Sequence, residues 1–365
     1  MPARNHKKWL KTPTIEYVDS RIYSSQEIYE EEIKNIFAKV WIPLCHKSEM
    51  PNKGDFRTSQ IAFQNLVAVN HGDTFKVYHN PGIRGVSGTF VDFTFVEDLK
   101  ELPTEVKHGG MVWTTLDTNP TMDVDQWTCG AFDCIADAID TEELEIFHYH
   151  KAIIPTNFKL WHDTNSEFYH DYMHYFNRVT GFNDEYFARK NVPFDNGHVN
   201  VSSFTVNYTE FDKDGDRGEL SFPNLPPNQW YMVDLFPGFN FNLRGSAYRS
   251  DSVTPLGPNK VLIEFRGYGL LKDTVEERNT RIKHHNTIWG PFGRNLHEDL
   301  LGVTGQGASM APGSEPRNIL HGRHENSTIH DEVGMRHYYA EWGKYLDLDP
   351  SNPVRVEEPV EELVA

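Results

Sequence analysis

The segment Asn157-Phe158-Lys159-Leu160-Trp161-His162-Asp163-Thr164-Asn165-Ser166-Glu167-Phe168-Tyr169-His170-Asp171-Tyr172-Met173-His174 carries the densest group of histidines and carboxylates in the chain. Residues 160–176 are helical in composition, and on a helix positions i and i+4 lie one above the other. His170 and His174 can then aim both imidazoles at one point, and Glu167, three residues earlier, shares their face. Two neutral imidazoles and one carboxylate form the facial donor set that holds Fe(II) and leaves positions open for O2 and substrate. On spacing alone two other readings stay open. An isolated His-x3-His is more often a pair of core or surface histidines. A zinc protease (His-Glu-x-x-His) fits less well, because Asp171 follows the first histidine and its shorter side chain sits poorly as the water-activating base.

A carboxylate from elsewhere in the chain would favour iron. The stretch Trp289-Gly290-Pro291-Phe292-Gly293-Arg294-Asn295-Leu296-His297-Glu298-Asp299, closing at Gln306, offers one. Its glycines allow a tight helix-to-loop transition that would turn Asp299 inward; the alternative is a capped loop with an exposed acid.

Outward from these two stretches the periodicity alternates between β and α. Ser24 and Glu27 form a capping box ahead of an amphipathic helix over 25–39. Short β runs follow at 60–70, 75–79, 90–96 and 111–116, separated by Gly, Pro and Asn as in a small antiparallel domain. An acidic connection over 118–150 carries one helix around 142–147. Extended segments lie at 198–211, 229–235, 239–244 and 261–270, with a hairpin turn at Leu256-Gly257-Pro258-Asn259. Helices are expected over 274–288 and 333–346, with a Gly-rich loop between them. Helices on one face of an antiparallel sheet make this an α+β protein of two lobes. Phe176, Phe204, Phe239, Phe241 and Trp289 are candidate pocket residues, although aromatics at such spacings more often belong to the core. His148 and His150 flank Tyr149 with no third ligand at metal spacing.

The chain has 365 residues, with 35 Lys+Arg against 53 Asp+Glu, 35 − 53 = −18. That acidity argues against a nucleic-acid partner, which needs clustered basic side chains. Residues 1–14 are basic but lack the apolar run of a secretory signal, and residues 354–365 form an acidic tail. No apolar stretch reaches the roughly 18 residues of a membrane span, so no membrane partner is expected and the cytoplasm is the expected compartment. The three cysteines, Cys45, Cys129 and Cys134, form no Cys-x-x-Cys, Cys-x-His or Cys-x-x-His pair among themselves or with any of the 18 histidines.

Together the pieces resemble the catalytic α subunits of Rieske non-heme iron oxygenases. Tyr23-Ser24-x-Gln26, Glu31, Ile36-Phe37 and Trp41 resemble that family's N-terminal helix. Asn157-Phe158-Lys159-Leu160, Asp163 and Glu167-x-Tyr169-His170 are similar to its Asn-Trp-Lys to Asp-x-Tyr-His stretch. Trp289-Gly290-Pro291, Glu298-Asp299 and Gln306 resemble its Gly-Pro to Asp-Asp to Gln segment, and Glu332, Arg336, Tyr339 and Trp342 its last helix. The resemblance implies a mononuclear Fe(II) held by His170, His174 and Asp299. It places Glu167 where the family has the acid that bridges an iron-ligand histidine to a neighbouring subunit's Rieske histidine. It also implies a helix-grip (START-like) catalytic domain over 119–365, an N-terminal helix within 1–40 packed on it, and a small all-β remnant of a Rieske-type domain over 41–118. Two departures leave helical geometry intact: Glu167 replaces the usual Asp, and the histidines stand four apart rather than five.

The third departure is larger. A Rieske domain ligates its [2Fe–2S] cluster through Cys-x-His and, about twenty residues on, Cys-x-x-His. Where the first is expected, after 66–80, stands Pro81-Gly82-Ile83-Arg84-Gly85, and Cys45-His46 has no second Cys/His pair nearby. No [2Fe–2S] cluster is therefore expected in this chain. The resemblance then implies a Rieske-bearing partner subunit in a hetero-oligomeric ring, such as an alternating trimer of dimers, with a ferredoxin or reductase upstream. The activity implied is hydroxylation of an organic substrate, aromatic or cyclic in most of the family, with O2. The alternative is a non-catalytic scaffold or regulatory α-like subunit of such an oxygenase.

Overall fold

The computed structural model describes residues 17–353 except 91, 93–95, 97, 175–182, 207–218 and 323–327. The basic N-terminal residues, the acidic tail and Phe176 lie outside the described residues.

Strand β1 (Tyr17–Asp19) leads into helix α1 (Gln26–Glu32), which runs on as a wider turn over Ile33–Phe37. Its cap is Ser25 rather than Ser24: the Ser25 hydroxyl accepts the Ile28 N–H at 3.3 Å. The small β region follows: β2 (Ile42–His46), β3 (Asp55–Ile61), β4 (Gln64–Asn70), β5 (Phe75–His79), β6 (Ser87–Thr89), β7 (Glu101–Leu102), β8 (Thr104–Lys107) and β9 (Met111–Thr114). They pair antiparallel in two sheets, ordered β6-β3-β4-β5-β7 and β2-β9-β8. Short helices α2 (Val124–Thr128) and α3 (Ala136–Ile139) fill part of the connection that followed.

The helix expected around 142–147 is instead part of a long strand, β10 (Leu144–Ile154). Its Ile, Phe, Tyr and His residues suit a half-buried pleat, and eleven residues of pairing partner outweigh one acidic turn. Helix α4 (Phe158–Ser166) comes next, capped by the Asn157 side chain on the Lys159 N–H. Then come α5 (Asp184–Ala188), β11 (Asn191–Pro193), β12 (Val199–Thr205), β13 (Gln229–Leu235), β14 (Phe239–Arg244), β15 (Ala247–Gly257) and β16 (Lys260–Leu270). These strands form one antiparallel seven-stranded sheet, β10-β16-β15-β14-β13-β12-β11. The hairpin expected at 256–259 joins β15 to β16, with Gly257 opposite Lys260.

Helix α6 (Val275–Trp289) begins at a Thr274–Glu277 capping box. The stretch expected as a loop around Asp299 is a helix, α7 (Arg294–Ser309). Gly293 makes the close turn between the two helices, because any side chain there would strike the Ile288 backbone. Strand β17 (Asn318–Leu320) pairs with β1, and α8 (Val333–Leu346) closes the fold as expected. Phe239 and Phe241 lie in one continuous core that also takes in Phe37, Trp113, Phe158 and Trp342. Phe204 belongs to a second cluster with Tyr186 and Met232. Three of the aromatic pocket candidates are thus core residues. Among the described residues no helix is long and apolar enough to cross a membrane.

Candidate metal centre

The helix expected over 160–176 stops at Ser166. Thr164 and Asn165 bond back to the Leu160 and Trp161 carbonyls, each at 2.9 Å, competition that weakens a helix end. Glu167 is extended, and its carboxylate accepts the His170 N–H at 3.1 Å, starting a tight 3-10 turn over Tyr169–Met173. The two histidines therefore converge on a 3-10 turn rather than on an α-helix. Asp299 reaches them from α7, which packs against α4.

One nitrogen from each of His170 and His174 and one oxygen of Asp299 all lie within 4.8 Å of one another. Asp299 Oδ1 stands 3.0 Å from His174 Nε2 and 3.5 Å from His170 Nε2. That oxygen is buried and accepts no well-directed hydrogen bond, whereas Oδ2 accepts from the Asn295 side-chain amide at 2.9 Å. The far side of each imidazole meets a carboxylate. Glu167 Oε1 lies 2.5 Å from His170 Nδ1, and Glu298 Oε2 lies 2.9 Å from His174 Nδ1. At His174 the hydrogen-bonded carboxylate holds the proton on Nδ1 and leaves the Nε2 lone pair for a cation, and at His170 the Glu167 charge beside Nδ1 favours the same arrangement. Two Nε2 lone pairs and one orphaned carboxylate oxygen, facing one another, fit a divalent cation such as Fe(II). Asp171 stands back, 3.9 Å from both Nε2 atoms, with its other oxygen accepting the Tyr186 hydroxyl at 2.6 Å.

Charges at the centre hold one another against burial. Burial opposes the charged form of His170, but the neighbouring Glu167 carboxylate and contacts with Asp299 raise the imidazole well above its ordinary range. For Asp299, too, burial works against the charge, and the two histidines outweigh it, holding the carboxyl below the usual carboxylate range.

Spacing singled out His170, His174 and Glu167, while Asp299 came from the Gly-flanked stretch and the family resemblance; the structure brings all four together. It did not single out Glu298, although that acid adjoins Asp299 in the sequence. Trp289 alone of the described aromatic candidates lines a cavity with His170 and Asp299. Sequence reasoning also missed Arg244 and Arg249 in the same lining. The readable signal was Arg249 and Asp251 two apart on one strand, a charged pair on a single face. His148 and His150 pair with each other on β10, Nε2 to Nδ1 at 2.7 Å.

No protein-family model matches the chain. It is 52% identical to the methanesulfonate monooxygenase hydroxylase subunit alpha of Methylosulfonomonas methylovora, over 403 aligned positions that cover 97% of each chain. Since 403 − 365 = 38, at least that many aligned positions of the relative have no counterpart here. The chain is 32% identical to the 2-aminobenzenesulfonate 2,3-dioxygenase subunit alpha of an Alcaligenes species, over 97% of this chain and 100% of that one. A quaternary ammonium Rieske monooxygenase, described for carnitine oxidation and inter-subunit electron transfer, has the same fold. It matches at TM-score 0.73 and 16% identity, over 91% of this chain and 96% of that one. Naphthalene 1,2-dioxygenase from Rhodococcus sp. matches at TM-score 0.73 and 15% identity, over 93% and 95%. With such identity to α subunits along almost its whole length, the chain belongs to the Rieske non-heme iron oxygenase α subunits and is an oxygenase.

Proposed function

We propose that this chain is the iron-bearing subunit of a multicomponent oxygenase that hydroxylates a small organosulfonate with O2, drawing electrons from a Rieske cluster on a partner subunit. The observation that carries this reading is the orphaned Asp299 Oδ1 facing two imidazoles, one with Glu298 hydrogen-bonded at Nδ1 and the other with the Glu167 carboxylate beside it. His170, His174 and Asp299 would hold mononuclear Fe(II), which supplies O2 activation when bound. Glu167 and Glu298 fix the ring orientations, and Asn295 turns Asp299 so that one oxygen stays free. The organosulfonate class rests on two relatives named for sulfonated substrates.

Sequence and surface together support the electron route. The chain has no Cys-x-His pair, and its 52% identical relative has at least 38 aligned positions with no counterpart here. We place that gap in the β region of 41–118, a Rieske-type domain without its cluster loops, beside the N-terminal helix of 1–40 and a helix-grip domain over 119–365. The Glu167–His170 contact lines an open cleft of about 450 Å³, with Met173 and Leu301 exposed on its rim. A partner subunit covering that cleft would bring its cluster to Glu167. The proposed assembly is a hetero-oligomeric ring served by a ferredoxin or reductase in the cytoplasm.

The test is turnover by the complex co-purified from the native host. His174→Ala in this chain alone should abolish product. Glu167→Gln should keep iron and slow electron delivery by at least about tenfold, the usual scale for loss of a carboxylate behind a metal ligand. Unchanged turnover with His174→Ala would establish the scaffold role instead.

A further inference from the structure

Beside the triad lies a second space of about 40 Å³, whose lining includes His170, Asp299, Arg244, Arg249, Trp289 and Asn295. Arg249 on β15 is 3% exposed, and its guanidinium lies 4.9 Å over the Trp289 ring. One of its nitrogens, Nη2, donates to Asp251 Oδ2 at 2.7 Å. Its Nε and Nη1 are buried with no hydrogen-bond partner. Arg244 on β14 is 2% exposed and donates from Nη1 to Asn295 Oδ1 at 3.2 Å. Asn295 in turn donates to Asp299, so the arginine wall is hydrogen-bonded to the triad.

Two buried guanidinium nitrogens without acceptors are costly, and an entering acceptor lowers that cost. An apolar substrate would leave them unpaired, and a neutral acceptor would lack the charge-assisted part of the bond. Nη2, common to both edges of the guanidinium fork, is taken by Asp251, so Nε and Nη1 each offer a separate charged donor that an anionic oxygen satisfies best. Size sets a second limit: the space is far below the roughly 300–1,000 Å³ of pockets that take drug-sized ligands. It favours a head group with one or two carbons over an arene, which would have to extend into the cleft of about 450 Å³ that shares Thr164, His170 and Asp299 with it.

We propose that Arg249 is a specificity-determining residue whose unpartnered N–H groups supply a charge-assisted donor to a sulfonate oxygen of a short alkylsulfonate, turning its carbon end toward His170 and Asp299. This deepens the oxygenase reading above and rests on it for the reaction, though not for the binding.

The experiment titrates the full-length, iron-loaded chain with methanesulfonate, with dimethyl sulfone as its neutral near-isostere, and with benzenesulfonate, following heat. Iron per chain is measured on the same samples. Methanesulfonate should bind at least about tenfold more tightly than dimethyl sulfone, the scale of a charge-assisted hydrogen bond, and more tightly than benzenesulfonate. Arg249→Gln should erase the preference over the sulfone. Because Asp251 is buried against Arg249, the double variant Arg249→Gln/Asp251→Asn keeps the interior charge balanced and should erase it as well. Equal binding of sulfonate and sulfone, equal binding of benzenesulfonate, or a preference that survives both variants would overturn the proposal. Full iron without sulfonate preference overturns this inference alone. A sulfonate preference in a chain that takes up no iron overturns the oxygenase reading alone.

Discussion

His198 shows how a single side chain can be set by two backbone groups. Its Nε2–H donates to the Trp127 carbonyl at 2.9 Å, and its Nδ1 accepts the Phe236 N–H at 3.1 Å, so the native site demands the neutral ring. Burial pushes the imidazole down to about 3. A folded value below the unfolded 6.5 means stability that is present above pH 6.5 and lost as pH falls toward 3. Wild type should therefore lose its advantage over His198→Gln by about 1.4 kcal/mol per pH unit in that window. Urea midpoints at pH 7, 6 and 5 check this, and a constant difference would contradict it. At the same scale, His170, His174 and Glu167 were legible because donor residue types recur at short spacing, whereas Asp299, 299 − 174 = 125 residues further on, was named by the family resemblance. Arg244 and Arg249 were not legible, since a charge in a strand looks solvated until the fold buries it.

The elements show which patterns compete. Strands over 229–235 and 239–244 stand where alternation placed them, because each pairs along its full length within the large sheet. Strand β10 was misread because a cluster of Glu residues resembles a helix start, while its partner β16 lies more than a hundred residues away. Asp299 was expected on a loop because Gly290 and Gly293 break the pattern, yet they only mark the corner between α6 and α7. Helix α7 in turn depends on Gly307, where a Cβ would meet the Pro155 carbonyl oxygen at 2.6 Å and Thr156 Oγ1 at 2.7 Å. Gly307→Ala should push α7 off the start of α4, at about 1–3 kcal/mol, and move Asp299 away from the histidines. Thermal unfolding and iron titration check both effects; unchanged iron affinity would show that α7 is positioned by other contacts.

Across the whole molecule, buried charge ties the parts together. Lys159 on α4 and Glu32 on α1 are fully buried and 2.6 Å apart, and Trp342 on α8 donates to the same Glu32 oxygen at 2.7 Å. Arg57 of the small β region and Arg266 of the large sheet share Glu49, each at 2.9 Å. Breaking one partner of a buried pair strands the other, so Lys159→Met should cost about 3–5 kcal/mol and Lys159→Met/Glu32→Gln much less. Denaturant unfolding of the two variants separates these outcomes. The fold class was legible from the order of elements, whereas these long-range pairs have no local signature.

The central claim is that this chain carries the iron and a partner carries the cluster. Iron and acid-labile sulfide measured per chain on the purified, iron-loaded protein test it most directly. The account predicts one iron, no labile sulfide, and loss of that iron with His170→Ala. No bound iron, iron that survives His170→Ala, or labile sulfide in the chain alone would contradict it.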